Sequence, residues 1–352
     1  MKKKFIYSLF LFVALFSACS TDLDVVGQYK ETLVVYGLLD QTQAKQYIKI
    51  NKAFLGEGNA FTYAQIKDST QFVNSLNVKL QKLDGFGNMV LERTLTPDNS
   101  IIKDPGVFYA PDQTNVIYSV DNVTLGPGFF NTNNTYKLIV TNGETGTVVS
   151  SNTGLITDIG AFLSPTATSS AFGFIVPGNP NAAVNISWNS ARYARMYQVL
   201  LRFNYLDSNL TGNDTNHIDW LFPVQTTQGL TGNETMLEEV KGQSYLQFIG
   251  SQFLTKPLPD KARRALKTDV ILISGADDLN TFIEVNAPST GIVQEKPEFT
   301  NITNGLGIFS SRYNKAPFSK NLSRYTLDSL ACGQYTKHYK FLNGQGQLIN
   351  CP

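Results

Sequence analysis

The sequence predicts a mainly β protein of two β-sandwich domains, the second carrying a helical insertion. Three observations predict it. Short runs alternate apolar and polar side chains between Gly-, Asn- and Asp-rich turns, the signature of half-buried strands rather than amphipathic helices. Charged residues make up only 16% and aromatics 12%, a balance that suits pleated surfaces better than solvated helices. Between residues 234 and 286 the apolar spacing changes to that of helices, which places the insertion.

The first sandwich is placed at 31–157. Thr32 to Leu39 is a dense β-branched and apolar run, and Gln46 to Lys52 alternates with period two. A loop runs from Gly56 to Phe72. Leu76 to Leu80 then alternates again, Asp84-Gly85-Phe86-Gly87-Asn88 is turn chemistry, and Met89 to Leu95 pairs back as a hairpin. Val116 to Val120, Thr135 to Val140 and Thr147 to Ser150, the last two joined by a turn at Asn142-Gly143, complete about seven strands at sandwich spacing.

Gly160 to Ala171 is a hinge-like connection into the second sandwich, placed at 158–318, and Phe172 to Val176 opens it as a strand. Val184-Asn185-Ile186-Ser187-Trp188 followed by Ala194 to Tyr205 resembles the part of a fibronectin type III sandwich where a strand Trp packs the core and Tyr-x-Val forms the next strand. That resemblance implies an Ig/fibronectin III-like domain. Ile218 to Val224 is a strand broken by Pro223, hence an edge.

Within the insertion, 234–286, Tyr245, Leu246, Ile249 and Phe253 recur at helical spacing and Lys256-Pro257-Leu258-Pro259 ends that segment. Asp260 to Leu266 reads as a basic helix turn, and Thr268 to Ser274 as a buried strand. Ala276 to Asn286 reads as a short helix with Leu279, Phe282 and Ile283 inward, and the aromatic stripe of the insertion reads as core. Phe299 to Tyr313 is a turn, with Asn304-Gly305 and Gly307 supplying positive φ, before a closing strand. Residues 319–352 form a C-terminal tail.

The first residues speak of location. Lys2, Lys3 and Lys4 make a positive segment, Phe5 to Phe16 an apolar one, and Ser17-Ala18 the small residues a signal peptidase needs, so 1–18 reads as an export signal. A membrane span needs about 20 apolar residues, and this run stops short at Cys19. Leu15-Phe16-Ser17-Ala18-Cys19 resembles the lipobox of bacterial lipoproteins, with Phe16 where Leu is usual. The resemblance implies that Cys19 is lipidated, becomes the mature first residue and is acylated on its amine, with 19–30 as a tether. More than one buried acyl chain makes such an anchor stable. Asp22 and Asp24 resemble the acidic tag that directs these lipoproteins to the outer face of the outer membrane.

Two further patches carry a family resemblance. Leu33-Val34-Val35-Tyr36-Gly37-Leu38 and Asn301-Ile302-Thr303-Asn304-Gly305-Leu306-Gly307-Ile308-Phe309-Ser310 resemble the first strand and the C-terminal signature of a Bacteroidota outer-membrane lipoprotein family with a domain of unknown function. That family is commonly encoded beside TonB-dependent receptors. The resemblance implies a cell-surface location, a lipid anchor and a receptor partner, with a glycan or peptide as ligand. It implies no activity.

Charge and motif content bound the chemistry. Removing Lys2, Lys3 and Lys4 from 29 Lys and Arg leaves 26 against 28 acids, a net of −2, which gives no footprint for nucleic acid. Besides Cys19, the chain has Cys332 and Cys351. A bridge between them suits an exported chain and would stabilise the tail by about 3 kcal/mol; two unpaired thiols are the other reading. His217 and His338 lie far apart, and there is no His-Glu-x-x-His, Gly-x-Ser-x-Gly or P-loop, so no metal, cofactor or catalytic residue is expected.

The remaining candidates are weaker. Asp207 to Asp214 has part of a Ca²⁺ loop, but Ile218 stands where the chelating Glu belongs, so a polar hairpin loop is expected. Glu238-Glu239 and Asp277-Asp278 offer carboxylates for a glycosidase, yet adjacent acids of this kind read as solvated or capping. Trp220, beside Asp219 and His217 and with Tyr205 at the same rim, is the candidate ligand-binding surface, a sugar-stacking face; a buried edge-strand Trp is the alternative. Asp68-Ser69-Thr70 and Asp328-Ser329-Leu330 resemble the O-glycosylation acceptor of Bacteroidota. The expected role is a non-enzymatic transporter accessory, with a free-standing carbohydrate-binding or adhesion lipoprotein as the alternative.

Overall fold

A computed structural model describes residues 32–53, 60–72, 75–103, 115–179, 181–288 and 298–351. The export signal, Cys19 and the tether lie outside the described residues. The first half holds strands β1 (Thr32–Leu39), β2 (Lys45–Ala53), β3 (Leu76–Leu83), β4 (Met89–Asp98), β5 (Ile117–Asp121), β6 (Thr135–Asn142) and β7 (Val148–Gly154). The second holds β8 (Ala183–Asn189), β9 (Ala194–Ser208), β10 (Asn213–Leu221), β11 (Gln225–Thr226), β12 (Thr235–Lys241), β13 (Ala262–Ala276), β14 (Leu306–Asn314) and β15 (Phe318–Lys320). Its longer helices are α1 (Gly242–Gln252), α2 (Asp277–Asn286) and α3 (Arg324–Cys332). The protein is mainly β, built on one large mixed sheet, and none of the described helices is long and apolar enough to cross a membrane.

The first half forms because alternate side chains on its strands share one face. Leu33, Val35, Val78, Leu80, Tyr136, Leu138 and Val140 are all buried and gather, with Ile48 and Tyr118, in one apolar cluster. β4 serves two neighbours: Val78 to Leu83 of β3 pair with its first part, while its Thr96 to Asp98 pair with β5. At the other edge, Thr303 and Ser150 of β7 exchange backbone hydrogen bonds just ahead of β14. β14 then runs parallel to β1, with Tyr36 opposite Ile308. The core of the first half is thus completed by Ile302 and Phe309, residues far along the chain.

Glycine and asparagine make that closure sterically possible. Asn304 and Gly307 sit at φ 59 and 104, and a Cβ on Gly307 would overlap the backbone of Val35. Gly305 differs from expectation: its φ is not positive, and it is glycine because a Cβ would stand 2.8 Å from the Leu33 carbonyl oxygen.

In the second half β9 and β13 pair along nearly their whole length, flanked by β10 and β11 on one side and by β14 and β15 on the other. The β8–β12 pair, α1 and the tail supply the residues that cover this sheet. Trp188 lies 5.8 Å from Tyr197, and Phe174 stacks on Tyr245 at 3.8 Å. These rings belong to a second buried cluster with Val199, Leu201, Phe203 and Phe341.

Several local expectations are corrected. Of the insertion expected at 234–286, only α1 and α2 are helical. Thr235–Lys241 is strand β12, and the stretch read as a basic helix turn is the start of β13. Ala, Arg, Leu and Lys favour helix only weakly, and pairing with β9 outweighs that preference, with a bulge between Ala265 and Thr268. Phe172 to Val176 is no strand: Phe172 makes a single parallel bridge to Leu322 while its ring enters the core. Pro223 does interrupt the edge, since β10 stops at Leu221 and β11 resumes at Gln225.

Candidate functional site

The structure separates the residues expected to form a ligand rim. On β10, successive side chains point to opposite faces, so Trp220 is turned away from its sequence neighbour Asp219 and from His217. Trp220 is half-buried and stacks on Phe248 of α1 at 4.7 Å, with Phe222 at 4.5 Å. Tyr205 is 2% exposed, and its ring meets Phe253 edge-on at 5.0 Å. It is a core residue and not a rim residue. In register Tyr205 opposes Asn216 and Trp220 opposes Leu201, so the two rings are also apart along the sheet. Asp219 is occupied by Arg202, with two contacts of 2.8 Å that hold its carboxyl below the ordinary range.

The other sequence candidates are accounted for by local structure. Asp207 is gripped by both Nε and Nη2 of Arg263, at 2.6 and 2.7 Å, so it is not free for a cation. Asp277 and Asp278 open α2, where acids suit the helix dipole, and they bind Arg195 Nε at 2.6 Å and Asn301 Nδ2 at 2.9 Å. Glu238 lies on β12 and accepts from Gln225. Cys332 and Cys351 are joined as a disulfide, their Cα atoms 5.2 Å apart. Asp68-Ser69-Thr70 lies in the short helical turn Lys67–Thr70, and Asp328-Ser329-Leu330 in α3, where Leu330 is buried. Among the described residues no group of three or more His, Cys, Asp or Glu is arranged to hold a metal.

A concave feature lies elsewhere, on the outer face of β1, β2 and β14, with α2 as one wall. It is a groove of about 420 Å³. Tyr36 and Tyr47 form the open side, each 40% exposed, and Leu279, Phe282 and Ile283 of α2 stand opposite. These three were expected to face inward. Instead Leu279 and Phe282 are half-buried and Ile283 is 45% exposed, and the Phe282 ring meets Tyr36 edge-on at 6.3 Å. One signal for the groove is present in the sequence: Leu33 to Leu39 does not alternate, so β1 is apolar on both faces.

A polar cluster closes one end of the groove. Asp40 is only 1% exposed, and both its carboxylate oxygens are filled. Oδ1 accepts from the Thr42 amide at 3.0 Å and from its hydroxyl at 2.5 Å. Oδ2 accepts from Arg312 Nε at 3.1 Å and Asn314 Nδ2 at 2.8 Å. Gln46 clamps the same residue through its backbone N–H and C=O, both at 2.9 Å. At the rim Lys45 bonds Asp98 at 2.6 Å, which holds the Asp98 carboxyl well below the usual carboxylate range; Ser100 adds to the effect.

A second, smaller cleft of about 290 Å³ lies between the β6–β7 edge and the start of α2. Tyr193 dominates it, a non-glycine residue at φ 69 whose ring lies over Gly154. Arg192 stands 4.9 Å from that ring and binds the Thr132 carbonyl at 3.0 Å, tying the two halves together.

No protein-family model matches this chain, and no curated protein matches it in sequence. Among solved structures, the C-terminal globular domain of an oligosaccharyltransferase from Pyrococcus abyssi is similar at 8% identity and a TM-score of 0.27. The match covers 83% of this chain and 50% of that one, so this chain spans half its length. A cytokine receptor complex matches at 8% identity and a TM-score of 0.23, over 85% of this chain and 100% of the other. A DUF4785 family protein from Legionella pneumophila matches at 11% identity and a TM-score of 0.19, over 70% and 54%. Likenesses at these scores carry no argument about function.

Proposed function

We propose that this chain is a surface-exposed outer-membrane lipoprotein, held by acylated Cys19, that serves as a non-enzymatic ligand-binding or capping accessory of a TonB-dependent transporter. The observation that carries the reading is the basic, apolar and small-residue series ending in Leu15-Phe16-Ser17-Ala18-Cys19. About 12 residues separate Cys19 from the first strand, so the folded body stands within roughly 45 Å of the bilayer surface even with that tether fully extended. We read each half as a β-sandwich. The second is Ig/fibronectin III-like, with Trp188 of the β8–β12 pair packed on Tyr197 of the larger sheet. The likeness to the Bacteroidota family rests on β1 and on the turn into β14, which the fold brings side by side.

The free-standing carbohydrate-binding reading no longer rests on Trp220 and Tyr205. What favours it is the small cleft, where exposed Asn152 and Tyr193 stand together. Gentle detergent extraction and affinity purification distinguish the two. Co-purification of an outer-membrane receptor in constant ratio is expected, and repeated recovery of the lipoprotein alone argues for the second reading. Intact mass tests the anchor: an acyl increment on Cys19 is expected. A mass equal to bare polypeptide, or unchanged membrane fractionation of Cys19→Ser, overturns the proposal.

A further inference from the structure

We infer that the groove between α2 and the outer face of β1 and β2 is a binding site for a carboxylate joined to an aromatic or branched apolar body, as at the C-terminal residue of a peptide. The inference stands on the groove alone and holds with or without a transporter partner. Its volume, about 420 Å³, lies within the range of small-ligand sites and is too narrow for a docked domain.

Arg312 sets the polar end. Its Nε is spent on buried Asp40, its two terminal nitrogens have no partner among the described residues, and the side chain is 44% exposed. Asp40 cannot turn to them, because Thr42 and Asn314 fill its remaining lone pairs. The guanidinium is therefore held through Nε, and its terminal nitrogens, a pair of parallel N–H donors, are left for a ligand in the groove it lines. That fork matches the two oxygens of a carboxylate, and its orientation is fixed in advance by a buried partner. The apolar end is equally defined. Tyr36 and Tyr47 offer ring surface from the sheet, and Phe282 and Ile283 face them from α2. An aromatic or branched side chain fills this space, while a sugar would leave most of its hydroxyls without partners there. The inferred ligand thus has charge at the Arg312 end and apolar bulk toward Ile283.

The test is calorimetric titration of the mature chain with N-acetyl-phenylalanine, its C-terminal amide and the tripeptide Gly-Gly-Phe. The acid is expected to bind with Kd on the order of 1 mM or tighter, and the amide at least about tenfold more weakly, since one charge-assisted pair is lost. Tighter binding of the tripeptide than of the acid marks a peptide end as the source; equal binding marks a free aromatic acid, and either supports the site. Arg312→Gln is expected to weaken the acid by about 10- to 100-fold and to leave the amide nearly unchanged. Ile283→Asp, an exposed helix position that leaves the Asp40–Arg312 contact intact, is expected to abolish binding and decides the matter should Arg312→Gln fail to fold. Equal affinity for acid and amide, no heat with wild type up to about ten times the expected Kd, or unaltered binding to Ile283→Asp overturns the inference.

Discussion

Replacing Arg263 tests how the second half is held together. This side chain is 1% exposed, pairs two-pronged with Asp207 at 2.6 and 2.7 Å, and lies 4.0 Å from the Phe253 ring, with Tyr205 and Phe341 around it. Its backbone binds the tail on both sides, through Lys340 and Leu342. In Arg263→Met the apolar stem survives, but Asp207 keeps a charge that is only 14% exposed and has lost both donors. Breaking a buried pair in this way costs about 3 to 5 kcal/mol, and the lost cation–π contact about 1 more. Against a typical total of roughly 5 to 15 kcal/mol the variant is expected to be marginal. The pair itself is not a large net gain, because one guanidinium nitrogen, Nη1, is buried without a partner among the described residues. Arg263→Met with Asp207→Leu should therefore recover most of the loss, to within about 2 kcal/mol of wild type. Urea unfolding of the two singles and the double, followed by circular dichroism, gives the cycle. A single variant within about 1 kcal/mol of wild type, or a double as unstable as the sum of the singles, refutes the reasoning.

Three further outcomes are expected. Gly307→Ala forces a side chain into positive φ and onto the Val35 carbonyl, so it should lose about 3 kcal/mol or more in urea unfolding; a wild-type midpoint would sink the steric account of the β1–β14 join. Burial pushes the Tyr136 and Tyr197 hydroxyls from 10.0 up to about 12, so each native tyrosine holds its proton more tightly than the unfolded chain does. Their contribution is complete below pH 10 and falls by about 1.4 kcal/mol per pH unit per tyrosine up to about 12; Tyr118, Tyr205, Tyr245 and Tyr313 are raised as well, so Tyr197→Phe should lessen the total slope by one tyrosine's share, about 1.4 kcal/mol per pH unit, when stability is measured against pH. Reduction of Cys332–Cys351, a sequence separation of 19, should cost about 3 kcal/mol, read as a lower melting temperature in reductant; an unchanged temperature would mean that the tail adds nothing.

Strands β2, β3 and β6 of the first half were legible because each has one wetter face. β2, β3 and β6 alternate cleanly and their turns carry Asp, Gly and Asn, so pattern and pairing agree. Reading failed where a distant partner decides the state. Ala262 to Lys267 is helix-prone by composition, but β9 offers it a ladder fifty or so residues away in sequence, and Arg263 needs that ladder to reach Asp207. The ligand rim failed for a different reason. Asp219 and Trp220 are adjacent in sequence, and in a strand adjacency means opposite faces, so a cluster read from neighbours dissolves once the segment is extended.

The groove was missed by the same parity rule working in the other direction. In Leu33-Val34-Val35-Tyr36-Gly37-Leu38-Leu39 the odd positions Leu33, Val35 and Leu39 enter the first core, which leaves Val34, Tyr36 and Leu38 on the outer face. An apolar outer face needs cover, and part of it has one: Ile308, beside Tyr36, is 4% exposed near α2, whereas Tyr36 and Tyr47 remain 40% exposed. The cover stops short of them because β14 belongs to two neighbours. It pairs with β1 along most of its length and with β13 at Asn314, Tyr313 and Arg312, so α2, which directly follows β13, is placed over β14 rather than over β1 and β2. The same crossover delivers Arg312 to Asp40, a contact between residues 272 apart in sequence. Fold closure and groove are therefore one event: the strand that completes the first core also imports the helix wall and the guanidinium, and loosening β14 should weaken the site and the core together.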